Sequence, residues 1–286
     1  MPSDAHWIAS LDVRAFAGAP LVKTHLAATL KQWFADEPTL RELRQALPFD
    51  PLADLDRATL AGPLPPQAGR GALILRGRFD LTKLHAAAER YAKQEPRAFR
   101  IHTEEQRAVY EFTEDGRAGL PLWISFPDQG TLLCTPSRRQ LSELLDRKGN
   151  TPPTLSKELT ALLATVDGQQ TAWLAAVATP ELKKMLGTSP ETEKLFQTVQ
   201  HLSGGLTVGA GVQLSFVLQT NQAATASELR KFLEGAQAIL SLAAMDSKTN
   251  APLLGFLVSS IKLGSVKDAV LIRAAVTKEQ LDKVAK

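Results

Sequence analysis

The sequence predicts an α+β fold: two similar helix-backed antiparallel or mixed sheets, from a duplicated unit in the order β-α-β-β-α-β-β-α. Three observations carry this. A strand runs into a capped helix five times along the chain. The pattern of the first half returns in the second. A stiff Gly/Pro linker, KGNTPPT (148–154), separates the halves. Strand pairs followed by helices suit two-layer packing, and split β-α-β units of ferredoxin-like type are the nearest common topology. The predicted domains are residues 1–150, with an extra helix and an added hairpin, and residues 151–286.

The five junctions share one physical logic. GALILRGRF (71–79) meets Asp80, TLLC (131–134) meets Thr135-Pro136, and TAWLAAVA (171–178) meets Thr179-Pro180. VQLSFVLQT (212–220) meets Asn221, and AVLIRAAV (269–276) meets Thr277. Asp, Thr or Asn at such a place accepts a bond from a free helix N–H, and proline at the first helical position loses no bond. Thr277 with Gln280 three residues on fits a capping box. AHWIASLDVRAF (5–16) matches QTAWLAAVATPEL (170–182) in pattern, Trp7 standing where Trp173 stands. The extra material in the first half is RELRQALPFDPLADLD (41–56), read as a helix and a turn begun by Asp50. FRIHTEEQRAVYEF (99–112) is read as the added hairpin.

Composition narrows the function. The 286 residues are 44% hydrophobic and 22% charged, an ordinary globular balance, with a net charge of +3. Residues 1–150 hold 20 basic and 19 acidic side chains, and the rest 13 and 11, so neither half is a basic domain and nucleic acid is not an expected partner. The first half carries 15 Arg and 5 Lys, the second 2 Arg and 11 Lys. Arginine's planar fork suits anions better than lysine's point charge, which favours the first half for an anionic ligand. The single cysteine, Cys134, precludes an internal disulfide. No apolar run has the length of a membrane span, and the first residues show no basic and apolar leader.

The motifs that catch the eye have structural readings. HLSGG (201–205) has the letters of an ABC-type ATPase signature, but the residues after it alternate at strand period, and no phosphate loop exists to complete it. Gly209-Ala210-Gly211 is read as a hairpin turn in which glycine supplies positive φ. His6, His25, His85, His102 and His201 are scattered, without metal-ligand spacing, and His102-Thr103-Glu104 lacks the cysteine pair a zinc deaminase needs. Asp50, Asp54 and Asp56 lack the central glycine of a calcium loop. There is no serine nucleophile elbow, and Cys134 is read as a small hydrophobe in a sheet. No catalytic residue, cofactor or metal is assigned.

One surface stands out. Period-two alternation puts Arg76 and Arg78 on one side of their strand, opposite Leu73, Leu75 and Phe79. In the hairpin, Arg100 and His102 share a face opposite Phe99 and Ile101, while Tyr110 and Phe112 point into the core. If the faces coincide, these four residues form a basic patch able to receive a carboxylate, a phosphate or an acidic protein loop. A solvated polar face is the plainer reading of the same pattern.

WIASLDVRAF (7–16), LPFDPLADLDRATLAG (47–62), ALILRGRFDLTKL (72–84), LSGGLTVGAGVQL (202–214) and VTKEQLDKV (276–284) resemble a group of uncharacterised bacterial proteins frequent in planctomycete-type genomes. The resemblance spans nearly the whole chain. Its motifs are structural, so it carries over no active-site residue, but it implies export. As written the chain reads as soluble and cytoplasmic; a trimmed leader would make it periplasmic or extracellular. The expected function is a non-enzymatic binding or protein-interaction module whose partner is a protein or a small anionic ligand. The alternative is a hydrolase-type enzyme with its site at the inter-domain cleft.

Overall fold

The computed structural model describes residues 1–37, 41, 42, 45–64, 67, 69–104, 107–113, 121–146, 155–186, 189–246 and 258–284. The linker 148–154 falls outside them. Contacts divide the chain into two compact units. The first comprises Met1–Ala17 and Leu26–Ser156; the second comprises Gly18–His25 and Lys157–Lys286. Every described strand pairing within a unit is antiparallel. No described helix is long and apolar enough to cross a membrane.

In the first unit the strands are β1 (Trp7–Asp12), β2 (Leu55–Gly62), β3 (Ala72–Gly77), β4 (Phe99–Glu104), β5 (Arg107–Phe112), β6 (Leu122–Asp128) and β7 (Thr131–Thr135). They lie side by side as β1-β2-β3-β7-β6-β5-β4. Helices α1 (Val13–Gly18), α2 (Ala27–Asp36), α3 (Leu81–Gln94) and α4 (Arg138–Leu145) follow the strands. One sheet face holds the main core. Leu75, Leu132, Ile124, Tyr110, Phe112 and Phe99 project onto Leu84, Ala88 and Tyr91 of α3, with Ala46 and Leu47 closing it. The aromatic rings interlock: Tyr91 meets Phe99 edge-on at 5.6 Å, and Phe99 stacks on Tyr110 at 5.9 Å. Tyr110 and Phe112 therefore point inward, as their alternation predicts.

The opposite face is not bare. Ala72, Val109, Trp123 and Leu133, the alternate residues of β3, β5, β6 and β7, pack against Leu141 and Leu144 of α4. This corrects the expectation of helices on one side only. Strands with apolar residues in both phases can bury both faces, and α4 covers the second.

The second unit contains α5 (Lys157–Leu163), β8 (Ala172–Val177), α6 (Pro180–Leu186), α7 (Pro190–Gln197), β9 (Val199–Val208) and β10 (Val212–Thr220). It continues with α8 (Ala223–Asp246), β11 (Lys262–Val266), β12 (Ala269–Val276) and α9 (Lys278–Val284). Its strands lie in the order β8-β9-β10-β12-β11. Ala226 and Leu229 of α8 are fully buried against Val199 and Val270, with Leu218, Leu233 and Ile272 around them. Residues 18–25 join this unit: the Leu21 N–H donates to Gly209 O at 3.0 Å, and His25 Nε2 lies 3.2 Å from Asp282 Oδ1.

Three of the five predicted caps form. Asp80 accepts from Lys83 N–H, Thr179 from Leu182 N–H, and Thr277 with Gln280 bond reciprocally as a capping box. Thr135 does not cap. Pairing with Trp123 keeps it in β7, so α4 starts at Arg138, with Ser137 accepting from Gln140 N–H. Asn221 instead accepts from the Thr225 hydroxyl, and α8 begins at Ala223. The turn at 209–211 joins β9 to β10, but neither of its glycines has a positive φ; that conformation belongs to Gly204, inside β9. Gly211 serves close approach instead, since a Cβ there would overlap Val276 O.

Candidate functional site

The four basic residues singled out from the sequence do not form one patch. Arg76, Arg100 and His102 do share the α4 face of the first unit's strands, as their alternation requires. Between β3 and β4, however, lie β7, β6 and β5, a separation of about 19 Å at ~4.8 Å per strand, with α4 packed over the middle. A hairpin close in sequence is thus remote in the sheet, because β6 and β7 insert between. Arg76 stands across from Arg57, which is paired with Asp12 at 3.3 Å. Arg78 lies beyond the end of β3, its guanidinium donating to Ala53 O at 2.9 Å.

Arg100 and His102 enter a closed network. His102 Nε2 lies 2.8 Å from Glu111 Oε2, and Arg100 stands 3.9 Å from the same oxygen. The His102 ring lies 5.3 Å from that of Trp123, over which Arg138 also stands at 5.4 Å. Arg138 Nε donates to Glu104 at 2.6 Å, and Ser142 donates to the other Glu104 oxygen at 3.0 Å. These groups satisfy one another and join α4 to the sheet. The Arg138 hydrogen bond holds the Glu104 carboxyl below its ordinary value of 4.5. A depressed carboxylate stabilises the fold fully above its unfolded value and loses that contribution as pH falls through the folded one. Acidification from pH 5 should therefore lower Tm less steeply in Glu104→Gln than in the parent. Parallel Tm–pH curves would show that the pair contributes nothing.

Other chemical suspects resolve the same way. Asp50 accepts from Leu52 N–H and Asp54 from Asp50 N–H, bonds that shape a turn, and Asp56 pairs with Arg14. Cys134 sits across from Leu73 and Ile124, and burial pushes its thiol up to about 12. So little thiolate exists at neutral pH that the residue acts as an apolar side chain.

The second unit presents a different arrangement. On the β12 face where Arg273 projects, its cross-strand neighbours are Lys262 of β11 and Ser215 of β10. Gln213 and Thr207 continue the row, and Gln170 and Ser260 border it, lining a concavity of about 470 Å³. Both cations are exposed, and neither has a hydrogen-bond or ion-pair partner among the described residues. Like charges directly opposite each other destabilise a strand pair by roughly 0.2–1 kcal/mol. Here that repulsion is left uncompensated beside hydroxyl and amide donors. An arginine fork, an ammonium and a serine hydroxyl in one concavity form a donor set for a carboxylate or phosphate.

The Arg-rich composition of the first half pointed away from this place. A local signal did exist: AVLIRAAV is an apolar strand interrupted by one of only two arginines in its half, and KLGSV opens with a lysine. Their pairing is a matter of register, which sequence spacing alone does not state.

No family model matches the chain, and no curated protein shows significant similarity to it. Among solved structures, crystal form I of TP0453 is similar in fold, with a TM-score of 0.50 and 13% sequence identity over 99% of this chain and 93% of that one. At this identity the likeness speaks for the mixed α+β fold alone.

Proposed function

We propose that the chain is a non-enzymatic binding protein that takes an anionic group on the strand face of its second unit that carries Arg273 and Lys262. The observation that carries this is the juxtaposition in one concavity of two cations that have no side-chain partner among the described residues. In the first unit, by contrast, Arg57, Arg100, His102 and Arg138 all have carboxylate partners. Repulsion that folding leaves unrelieved is relieved when an anion binds. Isothermal titration with citrate and with inorganic phosphate tests this. Arg273→Glu should weaken binding about tenfold, the size of one lost charge-assisted hydrogen bond, with the circular dichroism spectrum unchanged. Equal affinity in the parent and in a Lys262→Glu/Arg273→Glu double variant would sink the reading.

We also infer that the two units arose by duplication of one β-α-β-β-α-β-β-α element. What supports this is the correspondence of β1-β2-β3-β7-β6 with β8-β9-β10-β12-β11, strand for strand, with helices after the same members. In the second unit α8 links the parallel strands β10 and β11 around the antiparallel β12; in the first, β3 and β6 likewise run parallel around β7, but the chain between them comprises α3 and then the β4–β5 hairpin. This arrangement supports a split β-α-β reading of the ancestral element. The β4–β5 hairpin is the first unit's addition at its outer edge.

A further inference from the structure

We propose that the anion bound at Arg273 and Lys262 is the side chain of an extended acidic peptide, which adds as an antiparallel strand to the edge of β11 that no described strand covers. The proposal rests on the anion site described above and names its partner. Among the described residues β11 is the outermost strand of its unit, paired only with β12. The N–H and C=O groups of alternate residues therefore point outward, and none of Lys262–Val266 has a further partner among the described residues. The strand is held in place from behind. Gln237 of α8 donates to Val258 O at 2.8 Å and to Ile261 O at 3.0 Å, fixing the chain just before β11. At the other end, a tight turn with Lys267 at φ 52° returns it into β12.

The β11 positions on the Arg273 face are Lys262, Gly264 and Val266. A Cβ on Gly264 would meet nothing within 4 Å, so this strand interior has a gap above its backbone. A glycine inside a strand weakens it, and one function of such a position is to let another chain approach. Val266 is 57% exposed beside that gap. A lysine on a sheet edge ordinarily deters pairing. Here a second cation stands behind it and a gap and an apolar side chain follow, so the edge selects for a complementary strand. Opposite residues of paired strands place their Cβ atoms about 5 Å apart. A glutamate opposite Lys262 then reaches both cations, an aromatic ring covers Gly264, and a small apolar residue lies against Val266. The antiparallel sense follows the other pairings of this unit and gives the order apolar, any, aromatic, any, acidic.

The probe is a labelled Ser-Val-Thr-Phe-Thr-Glu-Ser peptide followed by fluorescence anisotropy, with citrate titrated separately. The peptide should bind, and Lys262→Glu should weaken it about fivefold. A peptide carrying lysine in place of the glutamate should recover affinity for that variant. N-methylation of alternate peptide amides should block binding in one phase and spare it in the other, since only one set faces β11. Gly264→Val fills the gap; it should abolish peptide binding while leaving citrate binding and Tm intact. Peptide binding indifferent to both methylation phases would overturn strand addition. Citrate binding without peptide binding would overturn it too, while leaving the anion site standing. Binding of neither would remove both.

Discussion

Replacing Gly204 or Gly205 with alanine should unfold the second unit while sparing the first. Gly204 has φ +146°, and a Cβ there would overlap the Ser215 carbonyl oxygen and lie 2.6 Å from Phe216 Cα. At Gly205 the Cβ would overlap the Ala172 carbonyl oxygen and lie 2.8 Å from Trp173 Cα. The obstacles are backbone on the strands to either side, β10 and β8, so no rotamer change relieves them. Gly204 faces Phe216 across one ladder and Gly205 faces Trp173 across the other. A bulky residue opposite a glycine is a recurrent way of covering the missing side chain. Strain and overpacking together should cost about 3–5 kcal/mol. Hydrogen exchange checks it: protection should fall across 199–220 and persist across β5–β7. A Gly204→Ala protein with unaltered protection would show that β9 has more room than its neighbours allow.

Phe112→Ala should do comparable damage in the first unit. Its side chain is 1% exposed and pairs across strands with Phe99 and Leu122. Truncation leaves a cavity among rings that cannot all collapse into it, for a loss of about 3–5 kcal/mol. Phe112→Leu should recover most of that. Chemical denaturation of both variants gives the numbers, and a change below ~1 kcal/mol for the alanine variant would contradict the packing described.

These two sites show what the sequence makes legible. Phe112 was placed in the core by alternation alone, and β9 by the strand period after Ser203, which disposed of the nucleotide reading of HLSGG. Caps at Asp80, Thr179 and Thr277 follow from local chemistry within three residues, as does the 99–112 hairpin. Legibility ends where non-local order decides. Nothing near residue 100 announces that β6 and β7 will separate β4 from β3, so a patch built on shared faces was divided. Nothing near residue 138 states that α4 will take the reverse face; its apolar stripe, Leu141 and Leu144, fits either side. The positive φ at Gly204 was expected instead in the nearby turn, because glycine's reason for being in a strand depends on neighbours contributed by other segments.

Residues 18–25 have a consequence for biosynthesis. They leave the ribosome long before residues 209 and 282 are made, yet Leu21 bonds to Gly209 and His25 meets Asp282. This short stretch must wait, unsettled, until α9 has been made. A gene cut between the halves would strand it on the wrong fragment, and separate expression of residues 157–286 would yield a sheet missing a piece of its own scaffold.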